Sequence, residues 1–231
     1  MVLTETTRNT LLARLREVLP QEALLSEAET MRPYECDGLS AYRQLPALVC
    51  LPDSVEQVQA IVRICHELKV PVVPRGAGTG LSGGALPDIN GVLLGLAKLG
   101  RILEIDIENL CARVEPGVRN LALSEATRPY GLYYAPDPSS QIACSIGGNV
   151  AENAGGIHCL KYGLTVHNVD LGGGRAQGEG ILAVRRGPTH DVVRRRAAFP
   201  QYHQHHRNVG LLDRVDERLS DAEQLRLFGD I

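Results

Sequence analysis

Two stretches of this chain carry residue types from which a phosphate-binding site can be built. The first runs Pro74, Arg75, Gly76, Ala77, Gly78, Thr79, Gly80, Leu81, Ser82, Gly83, Gly84. Glycine loses more backbone freedom on folding than any other residue. Glycines this dense imply that something approaches the main chain closely, or that φ turns positive repeatedly. A diphosphate fits both descriptions, because successive free N–H groups can cradle its oxygens. The second stretch spans residues 136 to 156. There Pro136, Asp137 and Pro138 fix φ at two sites and make an extended corner. Ser145, Gly147, Gly148 and Asn149 supply a hydroxyl, approachable backbone and an amide; Asn153, Gly155 and Gly156 follow. Two such loops can grip one long cofactor at two points.

Other readings of the first loop are open. Gly78, Gly80 and Gly83 match G-x-G-x-x-G after a strand, with Asp106 about 23 residues on, as in a dinucleotide-binding fingerprint. That fold needs a helix to begin inside the motif, facing the pyrophosphate. Here Pro87, Asp88, Asn90 and Gly91 follow instead, which is a turn leading to a strand. A Walker-type loop is excluded because no lysine follows the last glycine. A glycine-rich hairpin without a ligand leaves the second cluster unexplained.

The elements that must position these loops are legible in part. Leu11, Leu12, Leu15, Val18 and Leu19 stand at helical spacing behind threonine caps. "ALVCLP" reads as a strand. Ser54 and Gln57 resemble a capping box, and Val55, Val58, Ile61, Val62 and Cys65 form one apolar helical face. "VPVVP" is a strand entering the glycine loop, and "GVLLGL", "RILEIDI" and "CARVEPG" are three further strands. "NLALSEATRPYG" is a helix stopped by Pro129 and Gly131. "CSIGGNVAENAGG" is a turn, a short helix and another turn. Helices mixed with adjacent strands give an α+β class rather than regular βαβ alternation.

Composition narrows the function classes. The 231 residues suit one large domain or two small ones, and 44% hydrophobic content is ordinary for a globular chain. A formal net charge of -3 gives no broad electrostatic case for nucleic acid or an acidic membrane. Few aromatics and no Trp argue against a base-stacking platform. The cysteines, Cys36, Cys50, Cys65, Cys111, Cys144 and Cys159, form no C-x-x-C pair and sit among apolar neighbours. They read as buried reduced thiols of a cytoplasmic protein, packing the core without disulfides or a metal. "MVLTETTRNT" lacks the pattern of a signal peptide, and no apolar run approaches the roughly 20 residues of a membrane span.

Together, "PRGAGTGLSGG", "PDPSS…SIGGNVAENAGG" and "KYGLTVHNV" resemble the FAD-linked oxidases of the vanillyl-alcohol-oxidase type, in particular the FAD-binding subunits of glycolate oxidase. The likeness runs from about Leu11 to Val169. It implies the N-terminal part of a two-subdomain FAD-binding fold, residues 1–169, in an enzyme that takes hydride from a 2-hydroxy acid such as glycolate or D-lactate. It further implies that Arg75, Gly76, Ala77, Gly78, Thr79, Gly80, Leu81, Ser82, Gly83 and Gly84 wrap the FAD pyrophosphate. Pro136, Asp137 and Ser139 would line the flavin side. Ser145, Gly147, Gly148 and Asn149 would meet the ribityl chain and flavin edge. Gly155, Gly156 and Gly163 would let the backbone pass the cofactor. Some relatives carry a flavin-linked histidine in the first loop; Thr79 stands there here, so FAD is expected to be non-covalent. The family also implies partners, a second FAD-binding-like subunit and an iron–sulfur subunit; the expected location is cytoplasmic, peripheral to the inner membrane through those partner subunits.

From Asp170 onward lysine disappears, arginine is frequent and histidine clusters. The family's next strand, its "GSEGTLG"-like loop and its histidine-bearing substrate domain are not visible. Residues 170–231 therefore read as a non-homologous tail from a frameshifted or aberrantly terminated gene, poorly structured from 170 to about 210, with a helix from about Leu211 to Phe228. On that reading the chain is inactive as it stands, and a non-catalytic flavin-binding remnant is the alternative. The remaining polar candidates have plain roles: His158 as a satisfied polar residue, His203, His205 and His206 as exposed, and Arg194 to Arg196 as solvated charge.

Overall fold

The structure is a computed structural model that describes residues 3–170 and the backbone of 182–185. The chain divides into two units, with the break between Leu99 and Gly100.

In the first unit, Thr4 caps helix α1 (Glu5–Arg16), its hydroxyl accepting from the Thr7 N–H, and Leu11 and Leu15 are buried. Strands β1 (Leu24–Leu25), β2 (Leu48–Cys50), β3 (Val72–Arg75) and β4 (Val92–Gly95) form a sheet in the order β1-β2-β4-β3. The β2, β4 and β3 strands run parallel, and β1 pairs antiparallel with β2. Every residue of β2 and β4 is buried, which is why both read as unbroken apolar runs. A short helix α2 (Ala28–Met31) precedes β2, and α3 (Val55–Glu67) joins β2 to β3. Ser54 accepts the Gln57 N–H at α3's start, and Gln57 Oε1 accepts the Asp53 N–H at 2.9 Å. Val58, Ile61, Val62, Ile64 and Cys65 of α3 are buried. Neighbouring parallel strands need a long connection, ordinarily a helix. From β3 to β4 the connection is the glycine-rich segment 76–91, which contains no helix. A dinucleotide fingerprint requires one there, so that alternative does not describe this loop.

The second unit is antiparallel. Strands β5 (Ile102–Asp106), β6 (Cys111–Val114), β7 (Val169–Asp170) and β8 (Leu182–Arg185) stand in the order β5-β6-β8-β7. Asp106 is the last residue of β5, and its carboxylate fastens the turn to β6, accepting the Asn109 N–H at 3.0 Å and its Nδ2 at 2.7 Å. Helix α4 (Asn120–Thr127) runs into a 3-10 turn, Arg128–Tyr130, and stops at Gly131 in the left-handed region. Helix α5 (Ile146–Glu152) stops at left-handed Asn153; α6 (Cys159–Tyr162) and α7 (Thr165–Asn168) are single turns. Ala112, Val114, Val118, Leu123, Tyr134, Ile146 and Val169 make the core. Three strands expected as neighbours thus divide between two sheets, with β4 in one and β5 and β6 in the other.

Within the region expected to be poorly structured, 170 to about 210, the described residues 182–185 form a strand between β6 and β7. An apolar run as short as Leu182 to Val184 shows no alternation by itself, and backbone pairing on both sides defines it. Arg194 to Arg196, the three tail histidines and the expected helix from Leu211 lie outside the described residues.

All six cysteines are free. Burial pushes the Cys65 thiol up to about 12 and Cys50 well above the ordinary range, as suits core-packing thiols.

Where β6 ends, the buried Glu115 carboxylate accepts from the Arg101 backbone N–H at 2.7 Å, Nε at 3.0 Å and Nη2 at 2.7 Å. Burial works to raise its pKa, but the hydrogen bonds from Arg101 outweigh burial and hold the carboxyl below its ordinary 4.5. A depressed carboxyl contributes stability that is complete above its unfolded value and lost as pH falls through the lower folded value. Thermal unfolding followed between neutral pH and the range below 4.5 should show that loss. Arg101 stands largely in water, so its charge alone adds little. Glu115→Gln is expected to cost about 1–2 kcal/mol at neutral pH and to flatten the acid limb. An unchanged acid limb would remove Glu115 from its cause.

Candidate functional site

The glycine loop begins where β3 runs out. Arg75 is the last residue of β3, in register with Gly95, and its carbonyl accepts the Leu96 N–H at 2.9 Å. Beyond it, no backbone N–H from Gly76 to Ala85 donates to a described residue. Unpaired N–H groups are costly when removed from water; in this partly exposed loop they are open to solvent or to a ligand's acceptor atoms. Gly78 and Gly83 have φ of +68° and +79°. A Cβ on Gly83 or Gly84 would meet nothing within 4 Å. The protein therefore does not need the missing side chain of Gly84, whereas a close ligand would. Leu81 and Ser82 are exposed and Thr79 is half-buried.

Arg75 does not point its charge outward with the loop. Its Nη1 donates to the Cys36 carbonyl at 2.6 Å, and its guanidinium carbon lies 5.8 Å from the Tyr34 ring centroid. Burial lowers its pKa, opposed by Cys36, Asp37 and Tyr34. The Tyr34–Gly38 segment behind the loop went unrecognised in the sequence. Its one cue, Asp37-Gly38, is a common turn dipeptide.

The second cluster is built around α5 and the corner before it. Ser145 is buried and accepts the Gly148 N–H at 3.3 Å. The Gly147 N–H donates to the Pro116 carbonyl at 2.8 Å, and Pro116 fills the space a side chain would need. Gly148 is nearly open, with only Ser145 Oγ within reach of a Cβ. Asn149 is buried, and its Nδ2 has no partner among the described residues. Such a donor is costly unless something outside the protein accepts from it. Asp137 binds His158 twice, through its N–H at 3.3 Å and its Nδ1 at 2.6 Å, so His158 is a satisfied polar residue. Pro136 is buried and its carbonyl accepts Asn120 Nδ2 at 2.9 Å; Ser139 is exposed. Gly155, Gly156 and Gly163 lie against Leu164 and Cys159, Asp137, and His167 respectively. Protein packing accounts for the small size of Gly155 and Gly156, and at Gly163 a φ of +81° requires glycine as well.

Among the described residues, the loop that joins parallel strands β3 and β4 leaves its N–H groups without an acceptor, as a loop that takes a cofactor's phosphates would. Residues 46–171 match the family model described as FAD binding domain; the chain belongs to that family, and FAD is its cofactor. It is 65% identical over 162 residues to the glycolate oxidase subunit GlcD of Escherichia coli K12, covering 70% of this chain and 32% of that protein. It is 37% identical over 156 residues to a D-lactate dehydrogenase of Anaerostipes hadrus, covering 67% and 32%. The chain thus spans about a third of the length of the curated relatives it matches. Among solved structures it resembles p-cresol methylhydroxylase, with a TM-score of 0.60 at 26% identity over 66% of this chain and 30% of that one. The fold is accordingly the N-terminal part of the vanillyl-alcohol-oxidase type. Among the described residues, no helix is long and apolar enough to cross a membrane.

Proposed function

We propose that the chain is the FAD-binding part of a dehydrogenase or oxidase of 2-hydroxy acids of the glycolate or D-lactate kind, holding FAD without a covalent bond. The observation that carries the FAD site is the row of backbone N–H groups from Gly76 to Ala85 with no described acceptor, and the likeness to a glycolate oxidase subunit and a D-lactate dehydrogenase supports the substrate class. Bound FAD supplies the hydride acceptor of such reactions. Everything the chain does itself is binding and orientation. The N–H groups of 76–84 take the pyrophosphate oxygens, and the open surface of Gly83 and Gly84 lets them come close. Asn149 offers its unpartnered Nδ2, with Ser145, Gly147 and Gly148 setting the backbone around it. Pro136, Asp137 and Ser139 form the flavin-side wall, while Gly155, Gly156 and Gly163 shape that wall from within. Thr79 lacks the imidazole nitrogen that would join a flavin covalently. The GlcD relative is named as a subunit, and we extend that to this chain, with electrons leaving through an iron–sulfur partner.

Titrating the purified full chain with FAD, with NAD as control, tests the reading. Saturable quenching of flavin fluorescence is expected, with flavin retained on desalting and released unmodified by acid. Failure to retain flavin overturns the FAD site; flavin that stays on the denatured chain overturns the non-covalent mode.

A further inference from the structure

The geometry points to Arg75 as a positioning residue: its guanidinium braces the glycine loop from behind, against Tyr34–Gly38, and does not itself meet the diphosphate. What the loop holds rests on the FAD reading above; the brace rests on contacts inside the first unit.

Two contacts and one steric fact commit the guanidinium. Nη1 donates to the Cys36 carbonyl at 2.6 Å, and the cation stands 5.8 Å from the Tyr34 ring centroid, within cation–π range. The group also lies where a Gly78 side chain would be. A Cβ there would sit 2.3 Å from Nη2 and 2.5 Å from Cζ. Its charge is answered inside the fold as well. Asp37 is buried and acts on Arg75 electrostatically. One Asp37 oxygen accepts the Leu39 N–H at 2.8 Å, and the other has no hydrogen-bond partner among the described residues. The guanidinium is thus held by its bond to Cys36 and by the Tyr34 ring, with the Asp37 charge acting on it from the same segment.

Gly38 makes the second half of the brace. A Cβ on Gly38 would lie 2.7 Å from the Gly80 carbonyl oxygen and 2.8 Å from that of Thr79. Both carbonyls therefore face the brace. In a planar trans peptide the N–H points opposite to the C=O. Carbonyls of Thr79 and Gly80 turned toward Gly38 send the N–H groups of Gly80 and Leu81 away from it. The segment behind the loop thus decides which side of the loop donates.

The experiment uses the full chain. FAD affinity is measured at low and high salt for the wild type, Arg75→Gln and Arg75→Lys, and for Gly78→Ala with and without Arg75→Ala. Nitrogen-15 relaxation of residues 76–85 is recorded without FAD. Arg75→Gln should bind about tenfold more weakly with an unchanged salt dependence, since no ligand-facing charge is lost. Lysine should rescue little, lacking the planar fork. The loop amides of Arg75→Gln should gain motion, and Gly78→Ala should do less harm once Arg75 is alanine. A flattened salt dependence would mean direct phosphate contact and would overturn the brace, as would unchanged loop relaxation. If the wild type binds no FAD, the FAD reading fails, and the relaxation data still decide the brace.

Discussion

Gly84→Val is expected to leave the first unit as stable as the wild type and to abolish FAD binding. The two halves of that expectation have separate causes. A Cβ on Gly84 meets no protein atom within 4 Å, and its φ is not in the left-handed region. Added side chains at such sites ordinarily change stability by no more than about 0.5 kcal/mol. A ligand drawn against the loop's N–H groups meets the new methyls directly. Overpacking of that kind costs on the order of 3 kcal/mol, which is about a hundredfold or more in affinity. Flavin titration beside a denaturant melt separates the two effects. Wild-type FAD affinity in the variant would show that the loop is not the cradle. Gly80→Val should also abolish binding, but the Gly80 carbonyl abuts Gly38, so its effect mixes folding with binding.

Gly156→Ala should damage the protein itself. The new Cβ would fall 2.1 Å from Asp137 Oδ1, 2.3 Å from the Asp137 carbonyl oxygen and 2.4 Å from its carbonyl carbon. Two of these are backbone atoms, which cannot swing aside as the end of a side chain can. Relief requires the 136–138 corner to move, and with it the Asp137 bonds to the His158 N–H and Nδ1. A loss of about 3 kcal/mol follows, or a fall in Tm of about 12 °C or more for a unit of this size. Calorimetry checks it. Gly148→Ala is the control, because its nearest neighbour is Ser145 Oγ at 3.2 Å, and it should melt close to the wild type. Equal melting of both variants and the wild type would show that the corner is looser than drawn.

Much of this was legible in advance because the signals are local. Ser54, Gln57 and the apolar face of α3 specify a capped helix wherever they occur. Pro129 and left-handed Gly131 end α4 by their own backbone restrictions. The glycine loop announced itself by composition, since nothing but close approach or positive φ explains so many bare residues. The roles of single residues inside it were less legible. Arg75 beside a diphosphate loop invites the reading of a phosphate ligand, because charge is visible in a sequence and direction is not.

By itself, then, the sequence determined helices α1, α3, α4 and α5, strands β2 to β6 and the two glycine clusters, all of which depend on neighbours within a few residues; the short β1, α2, α6 and α7 carry no such local signal, and the cofactor class came from the family resemblance of the two clusters. Only the tertiary structure decided that β4 and β5 part into different sheets, and that 182–185 joins β6 and β7. It also decided that Gly156 is small for the sake of Asp137 while Gly84 is small for no protein neighbour. Finally, it turned Arg75 back onto Cys36, 39 positions earlier in the chain. These are contacts between residues far apart in sequence. They exist only once the chain has closed its loops, and no local preference encodes them.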